Sequence, residues 1–600
     1  MSPDRDFAVR SRIFRLILIL LFLVLLVNLF IMMGPKSSEY KGQALENRQV
    51  RFRVRAPRGR VADRQGVILA DNLFIADITL PATCLGADGP DSTLTRLMDW
   101  FGLPPAETQA RLINQKEKGR GRLVLVGNAT MPQIAAVEER GRQLPGVRVE
   151  ARARRRYQYG SLFAHLIGYV GEVGQADLDT TGSFLGYRQG DFIGKQGIEA
   201  TFEDVLRGTP GRKLEEVNAS GRIVGRGTVW VPEVQPGRDV VLSISLNLQN
   251  ALAEAIGQRV ACGVAMSVTS GEVLAAFSNP SFDPNLMTVG ISADQWNAWI
   301  SDPAKPFFNR VIHATYPPGS LYKPVTSLAG LSLGLVDTAT ELEPCLGGWN
   351  FGDRYFRCWK HSGHGRVDHL EAMVHSCDTF YYQLGLMMDI DQLAAAARAF
   401  GLGRATTDIF PDEAPGNIPD TDWYNDRFGE RGWTRGVLLN NAIGQGEILV
   451  TPLQMSLFAA RLASGGRTPD PVFVISPPQA ERTVEPLPFD PRHLAWCREA
   501  MLQVVVRGSG INAALDSIPV AGKTGTAQNP HGEDHAWFMG FAPADKPEVA
   551  LVLLVENGGG GGAEAAPVAK AWLEAYFADP NRLAPAVSGR ATAFATGETP

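Results

Sequence analysis

The chain has no excess of basic charge: 58 Lys and Arg face 63 Asp and Glu, a formal net charge of −5. A nucleic-acid binder would need a basic face, so that class is set aside. No strand–GxxxxGK[ST]–helix pattern occurs, and nucleotide binding of that type has no support. No internal repeat is present. Cysteine and histidine are scarce, at six and nine in 600 residues, and apolar and charged fractions of 45% and 20% are those of an ordinary globular protein. This length exceeds what one core organises, so two or more folded units are expected.

Long apolar runs are missing as well, with one exception. Leu16 to Met33 spans 18 residues with Asn28 as its only polar side chain. At ~1.5 Å per residue such a helix covers ~27 Å, close to a hydrocarbon core of ~30 Å. Arg5, Arg10, Arg12 and Arg15 precede it, which places the N-terminus on the cytoplasmic side. The run is longer than a signal peptide's apolar region and ends in MMGPKSSEY without a small-x-small cleavage site. Residues 1–14 are therefore read as a cytoplasmic N-terminus and 15–33 as an uncleaved anchor. The rest is expected outside the membrane, in the periplasm of a Gram-negative cell.

Beyond the anchor the texture changes twice. Val50, Phe52 and Val54 alternate, and Val67 to Leu69 follow turn signals, so short strands are expected over 51–80. TLTRLMDWFG and MPQIAAVEERGRQL carry helical spacing. A charged, glycine-punctuated stretch (186–237) ends in VPEVQPGRD, and a boundary is placed near 236. After it come a strand (240–245), an amphipathic helix (246–260) and a hairpin turning at Ser270-Gly271. HAWFMGFAP and VALVLLVE read as two further strands and APVAKAWLEAYF as a closing helix. The fold class is α/β (α+β): an antiparallel sheet assembled from distant parts of the chain, with helices between. The divisions are 34–236, 237–578 and a disordered tail, 579–600.

Chemistry concentrates in three short motifs. In YPPGSLYKP, Ser320 and Lys323 are one turn apart, so the amine can reach the hydroxyl. The preceding prolines and glycine put Ser320 near a helix N-terminus, where developing negative charge is favoured. Serine needs a base to become a nucleophile, and a lysine serves if burial and nearby cations lower its pKa. Ser376-Cys377-Asp378 opens an apolar helix, and Lys523-Thr524-Gly525-Thr526 follows a short apolar approach. S-x-x-K, S-x-D and K-T-G in this order match the motif set of serine β-lactamases and penicillin-binding proteins.

On these motifs the chain resembles the class B penicillin-binding proteins, the peptidoglycan transpeptidases, and most closely their elongation-specific branch. PRGRVADRQGVILADN, AHLIGYVGEV and IGKQGIEATFEDVLRGTPGRK are similar to that family's membrane-proximal pedestal, assigned here to 34–236. The transpeptidase domain is then 237–578. Asp378 stands where many relatives have Asn, as is common in the elongation branch. The resemblance implies that Ser320 attacks the penultimate D-Ala carbonyl of a donor stem peptide, with Lys323 as base. It implies that Ser376 and Lys523 relay a proton to the leaving amine and Asp378 bonds the donor backbone. Thr524, Gly525 and Thr526 would bind the donor, the two threonines at its carboxylate. Backbone N–H groups of Ser320 and Thr526 would form the oxyanion hole. β-Lactams would acylate Ser320. Implied partners are the stem peptides of lipid II-derived glycan, a RodA-type glycan polymerase with the elongation complex, and the membrane. A soluble β-lactamase would lack anchor and pedestal, and a bifunctional enzyme would carry glycosyltransferase motifs before the boundary. A division-specific class B enzyme and a non-catalytic β-lactam sensor remain as alternatives.

A second cluster lies between the first two motifs and within the second. Cys345, Cys358, His364 and Cys377 make a closed Cys₃His set of the kind that holds structural zinc, with His361 as the alternative to His364. A disulfide or unpaired buried thiols are the competing readings. No cofactor is expected for the chemistry itself. Tyr316, Trp349, Trp359 and Trp537 are read as core aromatics before groove-lining ones, His535 as structural, and the glycine run 558–562 as a flexible loop.

Overall fold

The computed structural model describes residues 3–41, 49–86, 89–117, 122–144, 146–182, 186–188, 190–216, 229–230, 233–478, 484–530 and 532–586. By packing the chain forms two units that interleave in sequence. One is Met1–Pro57, Phe74–Ala153 and Gly208–Gly237; the other is Arg58–Leu73, Arg154–Arg207 and Arg238–Pro600. The expected division at 236 is one of sequence order, whereas stretches on both sides of it pack together in the second unit.

In the first unit, Val9–Met33 is a single helix, long and apolar enough to cross a membrane and with none of its apolar window buried. Val50, Phe52 and Val54 fall in a strand, Gln49–Val54, that pairs antiparallel with Gly211–Glu216. The expected helices form at Ser92–Phe101, N-capped by the Asp91 carboxylate, and at Met131–Glu139, with Pro132 in the first turn. The core of this unit gathers Ile78, Leu80, Leu94, Leu97, Leu112 and Leu123.

The second unit is built on a five-stranded antiparallel sheet. Its strands are β1 (Ala261–Ser267), β2 (Val273–Asn279), β3 (Ala521–Ala527), β4 (His535–Ala542) and β5 (Val549–Val555), in the order β2-β1-β5-β4-β3. The turn between β1 and β2 uses Gly271 at φ 71°. Helices cover both faces, so β4 and β5 are buried at every position and, His535 apart, carry no polar side chain, rather than alternating. On one face lie α1 (Leu246–Ile256) and α5 (Gly561–Ala578), packing Leu252 and Trp572 against Phe538, Leu551 and Leu553. On the other lies α4 (Pro452–Ser464), whose Phe458 joins Met539, Val552 and Leu554. The glycine run, expected as a loop, is one at 558–560 but not at its end. Gly561 starts α5, and a Cβ there would stand 2.2 Å from the Trp537 carbonyl and 2.3 Å from that of Gly525. Glycine is required because the helix start lies directly on β3 and β4.

Parts of the pedestal-like motifs, residues 58–72 and 193–207, meet inside this unit. Arg58 and Arg155 flank the fully buried Glu199 at 2.5 and 2.6 Å, and Arg58 also reaches Glu203 at 2.7 Å. A buried carboxylate persists only when so paired, and here two guanidiniums hold it below an ordinary glutamate against the opposing effect of burial. Of the expected tail, residues 579–586 make contacts: Arg582 pairs with Glu548, and the Ala584 carbonyl accepts from Arg64. Residues 587–600 lie outside the described residues.

Candidate active site

Ser320 sits in a 3₁₀ turn, Gly319–Tyr322, that feeds helix α2 (Lys323–Ser332) with Pro324 in its first turn. Pro324 lacks an N–H where none is needed, so the helix starts without loss. The turn lies against β3. Gly319 has φ 55°, and a Cβ on it would meet the Thr526 carbonyl oxygen at 2.5 Å. Its own N–H donates to the Gly444 carbonyl at 2.8 Å. The nucleophile's turn therefore lies hard against the strand carrying Lys523 and is tied by its backbone to the segment at Gly444.

Lys323 is fully buried, and its ammonium donates to three acceptors: the Ser376 carbonyl at 2.8 Å, Ser376 Oγ at 3.1 Å and Asp378 Oδ1 at 2.7 Å. Lys523, equally buried, reaches Ser376 Oγ at 2.9 Å and the Thr524 carbonyl at 3.1 Å. Burial, with Lys323 close by, pushes the Lys523 amine well below an ordinary lysine, against the pull of Asp378. Ser376 Oγ thus bridges two amines that are 200 positions apart in sequence. Ser376 holds a left-handed backbone, φ 53°, and Cys377 caps helix α3 (Asp378–Leu386), as SCD at a helix start requires.

Two details depart from expectation. Ser320 Oγ, half-buried, makes no hydrogen bond among the described residues, because the Lys323 protons are all directed at Ser376 and Asp378. Asp378 is also engaged internally: its second oxygen accepts from the Trp359 backbone N–H at 2.9 Å. Its carboxylate faces Lys323 and Trp359. Thr524 Oγ1 pairs with Ser509 Oγ at 2.7 Å, Thr526 is exposed, and Gln445 anchors the Thr526 carbonyl at 3.0 Å.

Beside the nucleophile's turn opens a cleft of about 720 Å³ lined by Tyr316, Pro317, Gln445, Gln528, Asp534 and His535. Tyr316 lines it, its hydroxyl donating to Glu556 at 2.8 Å. His535 is held at Nδ1 by the Asn557 N–H at 3.1 Å and packs on Tyr316, as a structural residue would. Trp537 is fully buried and Trp349 partly so, but Trp359 is 59% exposed and is no core residue. Motif reading missed Trp359, Gln445 and Ser509. Each acts through a backbone group or a hydroxyl partner, and such contacts leave no pattern in sequence.

The Cys/His cluster assembles next to motif two. Cys345, Cys358, His364 and Cys377 bring their ligand atoms within 4.8 Å of one another. His364 Nδ1 stands 3.6 Å from Cys345 Sγ and 3.5 Å from Cys358 Sγ. All six cysteines are free, so no disulfide forms here. A hydrogen bond from Cys377 holds the Cys358 thiol far below its usual range and raises Cys377 in turn. Burial disfavours charge on His364, yet hydrogen bonds to Cys358 and Cys345 raise it overall. Thiolate character facing an imidazole is the donor chemistry of a tetrahedral metal site, so these residues fit one.

The family model for the penicillin-binding protein transpeptidase domain matches residues 261–574, and that for the penicillin-binding protein dimerisation domain matches residues 53–242. The chain belongs to the penicillin-binding protein transpeptidase family. The peptidoglycan D,D-transpeptidase MrdA of Acinetobacter baumannii is 33% identical over 96% of this chain and 89% of its own length. Among solved structures, a complex between penicillin-binding protein PBP2 and MreC from Helicobacter pylori matches at TM-score 0.78 and 29% identity, over 88% of this chain and 99% of that one. A peptidoglycan synthase complex that coordinates polymerization and crosslinking matches at TM-score 0.71 and 29% identity, over 94% and 98%.

Proposed function

We propose that this protein is a serine-type peptidoglycan D,D-transpeptidase that cross-links stem peptides during cell elongation. The observation that carries the reading is the convergence on Ser376 Oγ of Lys523 and of Lys323, the lysine one turn along the chain from Ser320. The Ser320 hydroxyl loses its proton to Lys323 in its neutral form as Oγ bonds to the penultimate D-Ala carbonyl carbon of the donor. Backbone N–H groups of Ser320 and Thr526 take the oxyanion, an effect of ~10²–10³ in rate per donor in other enzymes. The C–N bond then breaks, and the leaving D-Ala amine takes its proton from Ser376 Oγ, which is replenished from the flanking lysines. An acceptor amine attacks the acyl-enzyme by the reverse path and forms the cross-link. Asp378, Thr524, Gly525 and Thr526 with Lys523 bind the donor, and Asp378 also holds Lys323. β-Lactams, which present the same kind of acyl group, acylate Ser320.

Cys345, Cys358, His364 and Cys377 would hold a structural zinc ion, which pins Cys377 and with it Ser376 and Asp378 on either side. The N-terminal helix is the inner-membrane anchor, with 1–14 cytoplasmic, 34–236 the pedestal domain and 237–578 the periplasmic transpeptidase domain. The partner chemistry is that of the cell-wall machinery, including a RodA-type glycan polymerase. The deciding experiment is intact-mass analysis after treatment with a fluorescent penicillin: one adduct on the native chain, none on Ser320→Ala. An adduct on Ser320→Ala overturns the assignment. Depletion in the native cell separates the biological alternatives, since rounding supports elongation and filaments support division.

A further inference from the structure

Trp359 lies outside every motif, and its ring remains largely in solvent. A tryptophan kept for packing buries its ring; this one turns its polar edge and its backbone inward. The backbone N–H donates to Asp378 Oδ2 at 2.9 Å, and the indole N–H donates to the carbonyls of Ser376 at 3.0 Å and His375 at 3.1 Å. Both Ser376 and Asp378 are also bound by Lys323. Trp359 therefore grips, from the opposite side, the groups to which that amine is tied.

The proton inventory gives this grip a purpose. An ammonium has three donors and no acceptor, and those of Lys323 go to the Ser376 carbonyl, Ser376 Oγ and Asp378 Oδ1. Once neutral and ready to accept a proton, the amine has two donors for three acceptors. One acceptor must be released while catalysis proceeds. Ser376 sits at φ 53°, a conformation that a serine keeps only when its surroundings hold it. The indole N–H is the donor that does not change during the reaction.

We propose that Trp359 is a positioning residue of the transpeptidation site. It holds the Ser376 carbonyl and the Asp378 carboxylate fixed while Lys323 exchanges its proton, and thereby keeps Ser376 Oγ between the two lysines. This rests on the serine-transpeptidase reading given above.

The test uses the full-length protein and a fluorescent penicillin, with acylation resolved into a reversible binding constant and a first-order rate. Trp359→Phe retains a ring and the backbone N–H but removes the indole donor. The rate is expected to fall about threefold to tenfold, the effect of one modest hydrogen bond, with the binding constant and thermal midpoint unchanged. Incorporating benzothienylalanine at 359, isosteric with tryptophan and lacking the N–H, is expected to do the same and covers the case in which the phenylalanine variant folds poorly. A native rate in the benzothienyl variant overturns the proposal. So does a weaker binding constant at native rate, which makes the ring a binding surface. Ser320→Ala is measured alongside: if it still takes up label, the transpeptidase reading fails instead, independently of Trp359.

Discussion

The close approach of the nucleophile's turn to β3 is readily perturbed. In Gly319→Ala the new Cβ stands 2.5 Å from the Thr526 carbonyl oxygen, where ordinary contact begins at 3.4 Å. About 0.9 Å of separation must open between the Ser320 turn and β3, because both sides of the contact are backbone. The left-handed φ of 55° adds a further penalty of roughly 1–2 kcal/mol for a residue with a side chain. A displacement near 1 Å of a reacting group lowers rates by ~10²-fold. Acylation of Gly319→Ala by a fluorescent penicillin is therefore expected to slow by about two orders of magnitude, with a lowered thermal midpoint. The control is Gly334→Ala, which carries a similar φ of 66° but has nothing within 4 Å of its Cβ. That variant is expected to lose stability and keep its acylation rate. Native acylation in Gly319→Ala would refute the view that this turn lies hard against β3 in the working enzyme.

Other perturbations follow from the same geometry. Lys523→Arg keeps a cation for a donor carboxylate but removes an amine that can be neutral, and acylation is expected to fall ~10²-fold or more; undiminished acylation would limit Lys523 to charge recognition. Glu199→Gln leaves Arg155 buried against a neutral partner, while Arg58 keeps Glu203, and is expected to destabilise the second unit by about 3 kcal/mol in chemical denaturation. Because folded Glu199 titrates below a free glutamate, its contribution is complete above the unfolded value of ~4.3 and fades as pH falls through the depressed folded value. The native chain should thus lose stability on acidification more steeply than Glu199→Gln, and parallel curves would count against the pairing. Elemental analysis of freshly purified protein is expected to find about one zinc per chain, the content of a single four-ligand site. Cys358→Ser is expected to lose it, and absence of zinc from the native chain removes the metal reading.

Sequence by itself determined what depends on local chemistry. An apolar run of membrane length, a serine and lysine one turn apart, a polar triplet opening a helix, and a Lys-Thr-Gly strand are each written in a few adjacent residues. Sequence also offered Cys345, Cys358, His364 and Cys377 as donors by residue type, but only the fold brings their ligand atoms within 4.8 Å of one another. The tertiary structure alone decided how those pieces divide their hydrogen bonds. Lys323 and Ser376 are separated by 53 positions, and Lys523 and Ser376 by 147. Such contacts depend on how sheet and helices close long loops, which no local pattern encodes. That closure turned Lys323 toward Ser376 and Asp378 and away from Ser320. It also gave a solvent-exposed tryptophan three hydrogen bonds at the site and made the end of a glycine run, expected to be loose, the point where a helix rests on two strands. Local sequence fixes which groups can react; only the packing of distant segments fixes which of them touch.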